Sequence, residues 1–354
     1  MPVFRIAALL LVLSTQSASA DPYATVRREF QSAYAAVATT APGTAVTDSD
    51  ALRSYPLYPY LQAERLQRRL KDPAAAADIA AFLAANGDQP VARSLRRSWL
   101  MELALRKQWD TFLATYREDL DDTAAARCNA LAARIALERT AGLAESATAL
   151  YLSPESLPPA CDPVIEWLRG QELLTPALVE KRARLALGAG EAALARFLAR
   201  SLPERQAAPI NQWAALIEQP RTAVDALIAA PSRTVEAAAL LDGWSRAARA
   251  DAEAAAARFP ALVQARGLDE RAAGPFALAV ALPFSWSRDP RALEFFARVH
   301  PDDFDERGHE WRVRAALWIG DWPLVQRAIA AMPEDLRNQN RWRYWAGRSA
   351  EQLG

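Results

Sequence analysis

The stretch "RARLALGAGEAALARFLARSLP", residues 182–203, decides how the chain reads, because it returns at 312–333 as "RVRAALWIGDWPLVQRAIAAMP". The two segments share Arg182 and Arg312, Arg184 and Arg314, Ala186 and Ala316, Leu187 and Leu317, Gly190 and Gly320, Leu194 and Leu324, and Pro203 and Pro333. Each reads as a helix, a glycine turn, a second helix and a proline stop. Glycine enters a left-handed turn without steric cost, and proline cannot continue a helix. A looser copy, "LALRKQWDTFL" at 103–113, puts Gln108 near its turn.

The same rhythm runs through the rest of the chain. Helical stretches are punctuated at "KDPAA", "ANGDQP", "SLPERQAAP", "EQPRTA", "RFPAL", "RDPRA" and "AMPED". Alanine dominates, glycine is sparse at 13 residues in 354, and β-branched residues rarely cluster. Alanine carries the lowest cost of helix formation, and few alternating segments compete with it. No glycine-rich linker separates two composition regimes. The fold class is therefore all-α: a right-handed superhelix, or solenoid, of short tetratricopeptide-like helical hairpins occupying residues 21–354. The distance between copies is not constant, so the repeat defines an architecture and not a named repeat family.

Residues 1–20, "MPVFRIAALLLVLSTQSASA", lie outside that fold. One positive charge at Arg5, an apolar run from Ile6 to Leu13 and the small residues Ala18-Ser19-Ala20 form a secretory signal, cleaved after Ala20. The apolar core is too short to span a bilayer as a lasting anchor, and no lipobox cysteine follows. The mature protein would begin at Asp21 in an exported, oxidising compartment. There the only two cysteines, Cys128 and Cys161, read as a structural disulfide, worth roughly 3–4 kcal/mol in the chain-entropy description.

Charge excludes one function class. Lysine plus arginine equals aspartate plus glutamate at 42 each, so no basic footprint exists to displace counterions from nucleic acid. Enzyme chemistry lacks its parts: there is no phosphate loop, dinucleotide fingerprint, nucleophile elbow or cysteine–histidine pair. "HPDDFDERGHE" at 300–310 is rich in carboxylates and holds both histidines, His300 and His309, yet it lacks the order of a calcium loop and the second histidine of a zinc helix. It reads as an acidic loop capping the next helix. No metal or other cofactor is called for.

Most tryptophans, among them Trp99, Trp244 and Trp311, fall on apolar stripes and read as core. Tyr55, Tyr58 and Tyr60 in "SYPLYPYL" flank prolines at the start of a helix, and Tyr55 and Tyr58 are the better exposed candidates for ligand contact. The closing "NRWRYWAGRSAEQLG" places Trp342, Trp345, Ala346, Ser349, Ala350 and Leu353 on one helical stripe, with Gly354 as a capping signal. Part of that stripe can pack back on the 312–333 pair. Trp342, Tyr344 and Trp345 are further candidates for glycan or interface contact.

"LRSYPLYPYLQAERL", "LALRKQWDTFLATY", "ARCNALAARIAL", "ACDPVIEWL", "RARLALGAG", "RVRAALWIGDW" and "RWRYWAGRSAEQLG" together resemble the soluble lytic murein transglycosylases of Gram-negative periplasms. The resemblance runs from about residue 50 onward and is to that family's N-terminal superhelical domain, which forms most of a ring. It implies an open ring segment here and a Cys128–Cys161 disulfide. It also implies a parent activity, non-hydrolytic cleavage of the β-1,4 bond between N-acetylmuramic acid and N-acetylglucosamine. The family's catalytic Glu-Ser pair is followed by a Gly-Leu-Met-Gln segment. Here Glu145-Ser146 and Glu155-Ser156 have no such segment after them, so both are decoys and no catalytic residue is assigned.

The resemblance thus yields a non-catalytic helical domain, a fragment or truncated product preceding linker and catalytic domains. Peptidoglycan would be reached through the absent catalytic domain, with periplasmic cell-wall synthesis proteins as possible partners, and the chain would be a monomer. A stand-alone periplasmic helical-repeat scaffold for a protein partner is the alternative, and a glycosidase with its acid hidden among the helices is the third reading.

Overall fold

A computed structural model describes residues 21–87 and 89–354, so the proposed signal at 1–20 lies outside the described residues. Among those residues every regular element is helical. The hairpins at both copies of the repeat are present. Pro176–Gly188 turns at Gly190 into Ala192–Ala199, and Glu306–Ile319 turns at Gly320 into Trp322–Ala330.

Short polar side chains start many of the helices. Ser49, Thr123, Thr175, Asp251, Asp269, Asp305 and Asp321 each accept a backbone N–H from the first turn that would otherwise lack a partner. Proline sits in the first turn of the helices beginning at Pro90, Pro176 and Pro220, where its missing N–H costs nothing. Two prolines read from sequence as punctuation are not. Pro209 lies within Glu204–Glu218 and Pro260 within Ala252–Arg266. Each gives up one helical hydrogen bond, but their neighbours Ile210, Phe259 and Leu262 are buried, and tertiary packing holds the helices together. The first helix starts at Ala24, and Asp21 caps Tyr23 instead of the helix proper.

The chain divides into two compact units. One runs up to Leu143 and takes in Pro159–Val164; the other comprises Ala144–Pro158 and Ile165–Gly354. In the first, Ile79, Phe82, Leu95, Trp99, Leu103 and Phe112 form a core beneath the helices Ala76–Asn86 and Pro90–Leu105. Cys128 and Cys161 are bonded in this unit with their Cα atoms 4.8 Å apart, pinning Pro159–Cys161 to the helix Ala124–Ala136. Arg96 and Asp121 form a buried ion pair at 3.1 Å, and Asp121 also accepts the backbone N–H of Arg117.

In the second unit Trp244 is fully buried, with its indole N–H donating to the carbonyl of Phe276 at 2.9 Å. Its helix, Ala237–Ala250, approaches Glu204–Glu218 so closely that a Cβ on Gly243 would stand 2.6 Å from Leu216 Cδ2. Only glycine permits that approach. Trp342, 2% exposed, packs on Val313, Val325, Ile329 and Met332, which seats the helix Asn340–Leu353 on the 306–330 hairpin.

Candidate functional surface

An array of aromatic rings and guanidinium groups gathers on the second unit. Trp286 ends the helix Glu270–Trp286, and Arg288 follows in the turn. Trp311, Arg314 and Trp318 are spaced i, i+3, i+7 along Glu306–Ile319 and therefore share one face. The Trp311 ring lies 6.4 Å from Trp286 and 6.0 Å from Trp318, centroid to centroid. Arg314 sits 4.8 Å from the Trp311 centroid and 5.7 Å from that of Trp342, while Arg288 covers Trp318 at 5.3 Å. Glu310 holds Arg314 at 3.2 Å and also pairs with Arg341, whose guanidinium lies over Trp342.

One carboxylate thus fixes two cations against the rings, and each cation–π contact contributes about 0.5–1 kcal/mol at an exposed site. Trp286 and Trp318 remain 37% and 39% exposed, and Tyr344 is 64% exposed against the edge of Trp345. Indole and phenol faces can stack on apolar ring faces, while guanidinium donors reach neighbouring oxygens. The spacing W-x-x-R-x-x-x-W at 311–318 was the sequence signal for this face. Reading the tryptophans by apolar stripe alone passes over Trp286 and Trp318, which are partly solvent-facing.

The closing-helix candidates separate by face. Trp342 is core and cannot take a ligand, because its ring is spent against the 306–330 hairpin. Trp345 is half-buried on the same cluster, and Tyr344 points away from it.

The tyrosines at 55–60 also separate. Tyr55 is not an exposed aromatic: it is 8% exposed, with ring centroids 5.8 Å from Tyr23 and 5.4 Å from Phe30. The helix Ala24–Val37 supplies Phe30 and its N-cap residue supplies Tyr23, and packing the three aromatics together outweighs leaving Tyr55 free. Tyr58 donates to Asp48 Oδ2 at 2.7 Å, and Arg65 reaches both oxygens of the same carboxylate at 2.6 and 2.9 Å. Arg65 in the first place, with Tyr58, holds the Asp48 carboxyl below its ordinary range. Burial, with the Asp48 bond next, raises the Tyr58 phenol. This is a structural tie. Of the three, only Tyr60, in the helix Tyr58–Gln67, remains exposed.

The acidic stretch at 300–310 is spent on capping and pairing. Asp305 accepts the Gly308 N–H at 2.6 Å, His300 accepts that of Asp302, and Arg271 pairs with Asp303 at 3.1 Å. Among the described residues no group of three or more histidine, cysteine or acidic side chains could hold a metal ion. His309 is buried against the Phe304 ring, and burial first, then Arg312, lowers its pKa. Glu145 and Glu155 are both exposed, unlike the desolvated carboxyl that a glycan-cleaving acid requires.

No family model matches the chain. Soluble lytic murein transglycosylase from Salmonella typhimurium strain LT2 is 30% identical over 301 residues, which cover 83% of this chain and 45% of that protein. Its Escherichia coli K12 counterpart is 29% identical over the same spans. The chain thus spans less than half the length of these relatives. Among solved structures, an inactive mutant of lytic transglycosylase Slt from Pseudomonas aeruginosa matches with a TM-score of 0.71 at 29% identity, covering 92% of this chain and 53% of that one. The 70 kDa soluble lytic transglycosylase from Escherichia coli matches with a TM-score of 0.69 at 26% identity, over 94% and 52%. Over this helical region the chain is similar in sequence and in fold to the soluble lytic murein transglycosylases.

Proposed function

We propose that the chain is the non-catalytic superhelical domain of a periplasmic lytic transglycosylase, and that it orients such an enzyme on peptidoglycan. The parent activity would be cleavage of the bond between N-acetylmuramic acid and N-acetylglucosamine to a 1,6-anhydro product. The observation that carries the reading is the shared helical region, matched over 83% of the chain with no Gly-Leu-Met-Gln segment in its sequence. The signal-like residues 1–20 and the Cys128–Cys161 bond support an exported, periplasmic location. Among the described residues no helix is long and apolar enough to cross a membrane.

The aromatic and arginine array is the surface that fits this role. Trp318 and Tyr344 offer open faces to pyranose rings, and Arg288 and Arg341 offer donors to acetamido and lactyl oxygens. Incubating the purified chain with murein and analysing the soluble fraction tests the non-catalytic part. The expected outcome is no anhydromuropeptide above a blank. Release of such products by the chain alone would overturn it.

A further inference from the structure

A second concavity in the same unit has the chemistry of a ligand site. It encloses about 430 Å³ among Tyr151, Ile165, Arg169, Arg182, Phe197 and Arg200, a size within the range of small-ligand sites. Three arginines line it and no carboxylate does.

Arg182 is the unusual member. It is 4% exposed, its guanidinium lies 4.6 Å from the Tyr151 ring centroid, and Nε and Nη2 donate to the carbonyls of Ser153 and Glu155 at 3.3 Å each. No acidic side chain among the described residues pairs with it. A buried cation is ordinarily matched by an anion, because two carbonyl dipoles and one ring do not replace its hydration. Arg200, exposed at the rim, also lacks an acidic partner among the described residues, and Arg169 is engaged by Glu166. Phe197, 63% exposed with the Arg200 guanidinium 6.0 Å over its ring, and Ile165 complete an apolar lining.

From this juxtaposition we infer that the pocket binds the terminal carboxylate of a short peptide through Arg182 and Arg200, with a small apolar side chain against Phe197 and Ile165. Inorganic phosphate would meet the arginines alone and leave the apolar wall unused, so it is held more weakly than the acid. The murein reading above supplies the source of the peptide, a stem peptide ending in alanine, while the pocket chemistry stands without it.

The test is calorimetric titration of the intact disulfide-bonded chain with acetyl-Lys-D-Ala-D-Ala, its C-terminal amide and inorganic phosphate. The acid binds saturably. The amide, which loses a charge-assisted contact, and the exposed-site variant Arg200→Ala each bind about tenfold more weakly or worse. Phosphate at the same concentration does not compete. Arg182→Lys keeps a cation but loses the fork, and weakens binding with an unchanged circular dichroism spectrum. Absence of acid binding up to about 10 mM, equal binding of acid and amide, or competition by phosphate overturns the site. Pelleting of the chain with murein, measured in parallel, keeps two failures apart. Murein binding without peptide binding sinks this pocket alone, and peptide binding without murein binding sinks the source of the peptide while keeping the pocket.

Discussion

The backbone N–H of Glu191 donates to the carbonyl of Ala186 at 2.8 Å, closing the turn whose left-handed residue is Gly190. The bond from Asp321 to Ala316 does the same at Gly320. Identical closures recur around Lys107, Glu138, Glu172, Gly267 and Arg288, each with a residue at φ between 54° and 60°. One C-terminal device thus ends helices through both units, and four of its sites force a side-chain-bearing residue into the left-handed region.

Exchanging those residues should therefore move stability in opposite directions. The left-handed conformation costs an L-residue about 1–2 kcal/mol, and glycine gives back about 0.5–1 kcal/mol in unfolded-chain entropy. Glu138→Gly or Glu172→Gly is expected to raise stability by about 0.5–1 kcal/mol, and Gly190→Ala to lower it by about 1 kcal/mol. Urea titrations of the three variants check the signs.

These turns also mark how far the sequence was legible. Gly190 and Gly320 announce their hairpins, and the third copy was visible only loosely because Lys107 stands where a glycine would have signalled the turn. Nothing in the identity of Glu138, Glu172 or Arg288 announces a positive φ; the six-residue bond closure at the helix end does, and it is seen only in the structure. Pro260 misled for the complementary reason, since burial of Phe259 and Leu262 outweighs one lost hydrogen bond. Helical class and hairpin rhythm were readable from local pattern, and the similarity to the transglycosylases from the quoted stretches taken together. Tyr55 and the Trp286–Trp311–Trp318 array were not, because exposure depends on which neighbouring helix covers a ring.

The Arg96–Asp121 pair, with both side chains 5% exposed, is the most sensitive polar contact of the first unit. Asp121→Ala strands the guanidinium in a dry site and is expected to cost about 3–5 kcal/mol. Replacing both partners, Arg96→Met with Asp121→Leu, should recover most of that loss, because the cost lies in the unpaired charge. Denaturant unfolding of single and double variants measures the difference.

Reduction of Cys128–Cys161 is expected to lower the melting temperature. The bond closes a sequence separation of 33 residues, and its loss should cost about 2–4 kcal/mol. Calorimetry of Cys128→Ser with Cys161→Ser reads the loss without a reductant.

Acid should weaken the second unit through His309. Its folded pKa is lowered from the ordinary 6.5, so the unfolded chain takes up the proton first as pH falls. The stability His309 permits is complete above about 6.5 and is lost progressively below it, until the folded state also protonates. Arg312 adds to the depression and Asp305 opposes it. Chemical denaturation between pH 7.5 and pH 5, at about half-unit steps, should show a slope that His309→Gln flattens.

Quantitative co-sedimentation with purified murein sacculi tests the central claim most directly, comparing the wild-type chain with Trp318→Ala/Tyr344→Ala. Both side chains are substantially exposed, so the variant should fold normally. Losing two stacking faces is expected to weaken binding about tenfold or more. Saturable pelleting of wild type with that loss in the variant is the predicted result. A wild-type chain that stays in the supernatant, or a variant that pellets equally well, would contradict it.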